Sequence, residues 1–235
     1  MAIFCFDIDG TITPHRNMID SAMFSLLEKL AINNEIWLIT GNNAEKAKYQ
    51  IGDLFNIVDR VYCCSGSELW KKGILTKKVN YKFDNRLVAT IYALIEKCPI
   101  KMATKTKHVV FATGIIKVSI PGYTISKEER LAFIEWDKKS KFREKCVRFI
   151  NKQYPELKAS LAGQTSIDIT PASGGKAAVL QDIPSKEKIL FWCDEAFPLG
   201  NDYEFAEGLT KLGGIVMPVN NWQETYHQVR EILDV

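Results

Sequence analysis

The feature that most constrains the fold is a run of seven residues at the start of the chain. Positions 2–8, Ala-Ile-Phe-Cys-Phe-Asp-Ile, are apolar at every place except Asp7. A half-exposed strand would alternate, whereas a run of this kind suits a strand covered on both faces. Asp9-Gly10-Thr11 ends it. Covering both faces takes helices on each side, and the sequence that follows supplies them. Residues 19–31 place Ile19, Met23, Leu26, Leu27 and Leu30 on one helical face. Residues 36–39 read as a second buried strand, closed by Thr40-Gly41-Asn42-Asn43. A helix over residues 44–51 and a strand over residues 61–64 come next. Strand and helix in alternation predict an α/β fold with a doubly wound, Rossmann-like parallel sheet.

From about residue 81 the pattern changes. A helix is expected over residues 83–98, strands within residues 100–120, and a helical stretch from Ser126-Lys127-Glu128-Glu129, a capping-box sequence, to about Gln153. Two more strands follow, over residues 157–162 and 166–169. After Gly174-Gly175, two buried strands near residues 188–193 and 214–219, each followed by a helical pattern, return to the first style. The chain therefore divides into a core (residues 1–80), an inserted α+β domain (residues 81–169) and the rest of the core (residues 170–235), with hinges near 78–83 and 170–175. At 235 residues and 46% hydrophobic there is material for a substantial core. The insert carries 17 basic and 9 acidic residues, the remainder 14 and 19. Such a split fits a cation-binding core beneath an anion-binding insert.

Other classes find little support. The six cysteines include no CxxC pair, so neither zinc nor disulfide spacing is visible. Free thiols and the absence of a leader or a span-length apolar run point to a cytoplasmic protein. Trp136, Phe142 and Phe149 lie among lysines, but at helical spacing such aromatics are core rather than stacking platforms for nucleic acid. His15, His108 and His227 share no ligand spacing, and His15, close to the Asp7–Thr11 loop, reads as a solvated loop residue ahead of a substrate contact.

Four short elements fall at or near the carboxyl ends of core strands, where open α/β sheets bind ligands. In Asp7-Ile8-Asp9-Gly10-Thr11, two carboxylates two residues apart can serve one site, one attacking phosphorus and the other moving the proton. Thr40-Gly41 offers a hydroxyl and flexible backbone to phosphate oxygens. Lys176 can neutralise charge on nucleophile and phosphoryl group. Asp194 and, shortly after it, Gly200-Asn201-Asp202 supply the hard oxygen ligands that suit magnesium. Taken singly, all but the first are common by chance; their joint order along the chain is not.

The set resembles the four motifs of the haloacid dehalogenase superfamily. That resemblance implies an aspartyl-phosphate on Asp7, general acid/base chemistry by Asp9, and a phosphoryl group held by Thr40 and Lys176. It also implies Mg2+ bound by Asp7, the Asp9 main-chain carbonyl, Asp194 and Asp202, and makes the insert a cap of the IIB subclass. A closer resemblance, over nearly the whole chain, is to the eukaryotic-type phosphomannomutase family. It is carried by residues 7–16, 114–122, 126–139, Gly163-Gln164-Thr165-Ser166-Ile167-Asp168 and residues 193–204. The resemblance implies substrate contacts from Arg16, Gly41, Asn42, Arg130, Gln164, Ser166 and Asp168, and a homodimer through the cap.

The departures bear on function. Ala112 and Tyr123 stand where the family has cap arginines, and Thr40 where it tends to have glycine. Each lost guanidinium removes about 1–3 kcal/mol of phosphate binding; Lys105, Lys107 and Lys117 are the candidate replacements. A mutase must clamp a second phosphate while a phosphatase need only admit water. The sequence therefore favours a sugar phosphatase, with phosphomannomutase as the alternative and a non-catalytic phosphosugar-binding module as a third reading. The expected partner is a small sugar phosphate, not nucleic acid or membrane.

Overall fold

The computed structural model describes residues 2–100, 106–185 and 187–233. In chain order the elements are β1 (Ala2–Asp7), α1 (Ser21–Leu30), β2 (Glu35–Ile39), α2 (Ala44–Ile51), α3 (Leu54–Ile57), β3 (Arg60–Cys63), β4 (Glu68–Lys71) and β5 (Ile74–Lys78). Then follow α4 (Asn85–Glu96), β6 (Val109–Ala112), β7 (Ile115–Ser119), α5 (Lys127–Ser140), α6 (Phe142–Gln153), β8 (Leu157–Ala162) and β9 (Ser166–Pro171). The chain closes with a 3-10 helix (Lys176–Asp182), β10 (Lys188–Cys193), α7 (Tyr203–Lys211), β11 (Ile215–Pro218) and α8 (Trp222–Ile232).

Seven strands form the core sheet in the order β11-β10-β1-β2-β3-β4-β5. The first five are parallel, and β4 and β5 add an antiparallel hairpin at the edge. The apolar run at the chain start explains the centre of this sheet. On one face Phe4 and Phe6 stack on Trp192, with centroids 5.8 and 4.9 Å apart, and join Met23, Leu27 and Leu30 of α1 and Val229 of α8. On the other face Ile3 and Cys5 pack with Trp37, Phe191, Phe205 and Leu209. Fully burying one such phenyl ring contributes about 1.5–3 kcal/mol, so this strand anchors the fold. The hairpin β4–β5 was not expected from the sequence. Its tight turn at Lys72-Gly73 takes positive φ at both residues, and its second strand is exposed throughout, so the apolar pattern gave no signal.

The second sheet is antiparallel, in the order β6-β7-β9-β8, and forms the cap. β9 and most of β8 alternate apolar with polar or small residues, as a one-sided sheet should. Ile116, Val118, Ile167 and Ile169 pack against Leu87 and Ile91 of α4, Phe133 of α5 and Val147 and Ile150 of α6. Residues of the opposite parity turn toward the core. The helical stretch expected to run unbroken to Gln153 is two helices instead. Lys141 breaks it in the left-handed region, at φ 54°, and Arg143 then folds back on Asp137 with its Nε 2.7 Å from Oδ2. The capping box at Ser126 forms, Ser126 Oγ accepting from Glu129 N and Glu129 accepting from Ser126 N. Among the described residues all six cysteines are free and buried, and no helix is long and apolar enough to cross a membrane.

Candidate active site

The carboxyl ends of β1, β2 and β10 deliver Asp7, Thr40 and Asp194 to one edge of the core sheet. Lys176 opens the 3-10 helix on the return from the cap and is buried. Its Nζ donates to Asp7 Oδ1 at 2.5 Å and to Asp202 Oδ1 at 2.7 Å. Asp202 is locked on its other side, where Oδ2 accepts from Glu195 N at 3.3 Å. Gly10 is required here. Its φ is +89°, and a Cβ would lie 2.4 Å from Asp194 Oδ2, so the loop after Asp9 closes directly over the metal-type carboxylate.

Asp9 turns away from Asp7 into a donor set of its own. It accepts from Arg16 N at 2.8 Å, Gln50 Nε2 at 2.9 Å and Asn42 Nδ2 at 2.6 Å. Burial opposes its charge, but Lys46 and these three donors outweigh that and hold the carboxyl below its ordinary range. Asp7 behaves the opposite way: burial pushes it up to about 7 despite Lys176. Burial and then Asp7 push Asp194 up to about 10, and burial and then Asp202 push Glu195 up to about 8. On Lys176 burial works against the charge, yet Asp202 and Asp7 hold the ammonium well above its usual range.

Oxygens of Asp7, Asp194 and Asp202 lie within 4.8 Å of one another. One ammonium faces this surplus of buried acids, and hard carboxylate oxygens at such spacing fit a small divalent cation. Asp9 contributes no side-chain oxygen to the cluster.

Between core and cap lies a cleft of about 670 Å³ lined by Asp7, Asp9, Thr40, Gly41, Asn42, Asp194 and Asn201 of the core, and by Arg130, Gln164, Ser166 and Asp168 of the cap. Arg16 lines it too, and its Nη2 donates to Thr165 Oγ1 at 3.3 Å. Lys176 and Asp202 stand beside it, bonded to Asp7 or to each other. Arg130 Nε, both oxygens of Asp168 and Asn201 Oδ1 are buried there without a hydrogen-bond partner among the described residues, a state that a ligand relieves.

Sequence reasoning missed several neighbours. His15 is not a solvated loop residue: it lines the cleft, its Nε2 3.7 Å from Asp194 Oδ2, because the turn after Gly10 folds it back. Lys46 and Gln50 lie four residues apart on one face of α2, and Asn42, just before the helix, bonds to both; that spacing was the available signal. Glu195 and Arg143 act through long-range contacts and left none. Ala112 and Tyr123 do face the cleft, and so does Lys117. Lys107 is exposed, and Lys105 lies outside the described residues.

A profile of the eukaryotic phosphomannomutase family matches residues 23–235. The chain belongs to that family. Phosphomannomutase 1 of Homo sapiens is 32% identical over 243 residues, covering 97% of this chain and 90% of the relative. The phosphomannomutase of Encephalitozoon cuniculi is 31% identical, covering 98% and 93%. Among solved structures, the C-terminal domain of a trehalose-6-phosphate phosphatase from C. albicans superposes with a TM-score of 0.69 at 14% identity, covering all of this chain and 92% of that one. At that identity the likeness shows the fold alone: a Rossmann-like parallel core with a cap. Membership of the phosphomannomutase family makes the chain a phosphotransfer enzyme.

Proposed function

We propose that this enzyme is a magnesium-dependent sugar-phosphate phosphatase that works through an aspartyl-phosphate on Asp7. The observation that carries the choice is the cap face of the cleft, where Ala112 and Tyr123 leave Arg16 and Arg130 as the guanidinium groups lining it among the described residues. Two guanidiniums hold a sugar phosphate less firmly than a mutase needs to retain a bisphosphate while it turns over.

Asp7 Oδ attacks phosphorus, and the P–O bond to the sugar breaks. Asp9 gives its proton to the departing sugar oxygen. Lys46 and the three donors favour the ionised form of Asp9, and the arriving phosphate dianion raises its proton affinity. Asp9 then takes a proton from water, which attacks phosphorus and releases orthophosphate and free Asp7. Lys176 holds Asp7 in line and offsets charge on the phosphoryl oxygens, with the Thr40 hydroxyl and Gly41 beside them. Asp7 and Asp194, with Asp202 behind them, would hold Mg2+, which supplies charge neutralisation to the phosphoryl group.

A second reading, phosphomannomutase activity, is favoured by family membership and by Arg16 and Arg130 sharing the cleft. Purified protein with Mg2+ and a panel of hexose phosphates separates the two. Orthophosphate release at a rate that scales with enzyme supports hydrolysis. Bisphosphate-primed conversion of mannose 1-phosphate to mannose 6-phosphate without phosphate release overturns it.

A further inference from the structure

The loop from Asp194 to Asp202 carries two of the three clustered carboxylates and is closed tightly on itself. Gly200 N donates to Phe197 O at 2.8 Å, and Glu195 N donates to Asp202 Oδ2 at 3.3 Å. A Cβ on Gly200 would collide with Glu195 O. At the turn stands Leu199, with φ 73°. Among the described non-glycine residues, positive φ otherwise falls on Arg16, Cys64, Ser65, Lys72 and Lys141, so Leu199 is the one aliphatic side chain in that group. The left-handed region crowds Cβ against the next carbonyl, and a bulky residue persists there only where its surroundings hold it. Here the cap does the holding. Leu161 N, on the outer edge of β8, donates to Leu199 O at 2.7 Å, and Leu161 forms a parallel bridge with Gly200. The half-buried Leu199 side chain packs against the apolar cluster of the cap, to which Leu161 and Ile167 belong. Beside them Lys158 of β8 pairs with Glu204 of α7 at 2.5 Å.

We propose that Leu199 is a positioning residue through which the docked cap holds Asp202 against Lys176, so that the cation-type carboxylates are in working order only while β8 is seated on the loop. This rests on the reading of Asp7, Asp194 and Asp202 as the phosphoryl and metal centre. Leu199 bonds to none of the three and acts through the backbone. Its apolar contact and the hydrogen bond from Leu161 exist only with β8 docked, and together they offset the unfavourable φ. With β8 lifted, nothing opposes the strain. Leu199 then relaxes to negative φ, the turn from Phe197 to Gly200 opens, and Asp202, three residues on, loses its fixed place beside Lys176 and Glu195 N. The loop is therefore a two-state element that both the cap and a bound cation bias toward the same conformation. Such coupling is reciprocal: the docked cap tightens the cation, and the cation seats the cap.

The test uses full-length protein and three readouts: deuterium exchange at the Leu161 amide, Mg2+ affinity by isothermal calorimetry, and the rate at which acetyl phosphate labels Asp7. Leu199→Gly removes the side chain but adopts positive φ freely, whereas Leu199→Ala removes it and keeps the strain. Exchange at Leu161 should quicken about tenfold or more in both variants, as the cap edge opens locally. Mg2+ affinity and labelling should each be about fivefold or more lower in Leu199→Ala than in Leu199→Gly, the ratio that the left-handed penalty implies. Leu199→Met restores the apolar contact and should bring all three readouts back to within about twofold of wild type. Saturating Mg2+ should slow Leu161 exchange about threefold or more in wild type and not in Leu199→Gly. Equal Mg2+ affinity in the alanine and glycine variants reduces Leu199 to packing and overturns the proposal. Exchange at Leu161 that ignores both substitutions overturns it as well. Should the alanine variant fold poorly, the effect of Mg2+ on Leu161 exchange in wild type and Leu199→Gly still decides. A wild type that binds Mg2+ but takes no label sinks the aspartyl-phosphate reading and leaves the affinity and exchange comparisons to judge Leu199.

Discussion

Lys176 holds Asp7 at 2.5 Å, Nζ to Oδ1, with both side chains out of solvent. The same nitrogen reaches Asp202 at 2.7 Å, so a single ammonium orients both carboxylates while Asp194 and Glu195 add further acid close by. Such a site is tuned for a cation and a phosphoryl group rather than for stability.

Replacing Asp7 by Asn should remove turnover while leaving the fold intact. Lys176 keeps Asp202 as its partner, and the amide oxygen of the new residue still accepts a bond. The phosphate-release rate should drop at least about a thousandfold, in line with loss of a covalent nucleophile, and acid-stable phosphate label on the protein should disappear. Unchanged hydrolysis in the variant would place the nucleophile elsewhere.

The same substitution has a pH signature. Burial raises Asp7 from an ordinary 3.8 to about 7, so between those values the folded protein binds more protons than the unfolded chain. By linkage, this group's contribution to stability is present below pH 3.8 and is lost as pH rises toward 7. In metal-free buffer, Asp7→Asn should therefore gain thermal stability relative to wild type as pH increases from 4 to 7. A difference that is flat with pH across that window would contradict the burial argument.

Magnesium should stabilise the protein more at high pH than at low. Its ligands must be ionised, and Asp7 and Asp194 are pushed up to about 7 and about 10, so protons compete with the metal. The upward shift of the melting midpoint with 5–10 mM Mg2+, about what a weak divalent site requires, should grow from pH 6 to pH 8. Chelator should abolish it. An equal shift at both pH values would mean that the cation binds away from these carboxylates.

How much of this was legible in the sequence follows from how locally each feature is encoded. The central strand and the carboxylate at its end were readable because seven nearly all-apolar residues and a DxDGT turn are contiguous. The cap sheet was readable because its strands are short apolar or alternating runs, such as Ser-Ile-Asp-Ile in β9. The break at Lys141 was not, because a lysine in the left-handed region has no composition cue; what stabilises it is the side chain of Asp137 accepting from Arg143 N at 3.0 Å. The shared face of Lys46 and Gln50 was encoded by helical spacing, yet its meaning depends on Asn42 and Asp9 lying opposite, which is a tertiary fact. Lys117 illustrates the same limit. The sequence put it on a cap strand as a candidate cation but did not show which way it points, and that it touches Gly41 depends on how closely the cap sits on the core.

Asp9 should prove as necessary as Asp7 but in a different step. Three donors fix its carboxylate within 2.9 Å, so the Asp9→Asn amide keeps the size of the side chain but sets its NH2 against at least one of them, losing that hydrogen bond along with the transferable proton. Loss of general acid/base catalysis costs about 10²–10⁴-fold. Hydrolysis of sugar phosphates should fall by that amount, while label from a donor with a good leaving group, such as acetyl phosphate, still reaches Asp7 and accumulates. A variant that neither forms nor retains the phosphoenzyme would show that Asp9 supports the structure of the loop rather than proton transfer.

Arg143 holds the loop that presents Ser166 and Asp168 to the cleft. Its Nη1 donates to Gly163 O at 2.9 Å and Ser166 O at 3.0 Å, while its Nε pairs with Asp137 at 2.7 Å. Both partners of the ion pair are nearly buried, at 13% and 9% side-chain exposure. Removing one member of such a pair leaves the other unpaired and costs about 3–5 kcal/mol. Arg143→Met should lower stability by that order in urea unfolding and, at temperatures where the variant stays folded, raise KM several-fold for sugar phosphates. Phosphorylation of Asp7 by acetyl phosphate, which is too small to need the cap, should change little. That split follows from the geometry: Arg143 lies beneath the cap loop and touches no group that bonds to phosphorus, so it acts on how the sugar is held and not on how the phosphoryl group moves.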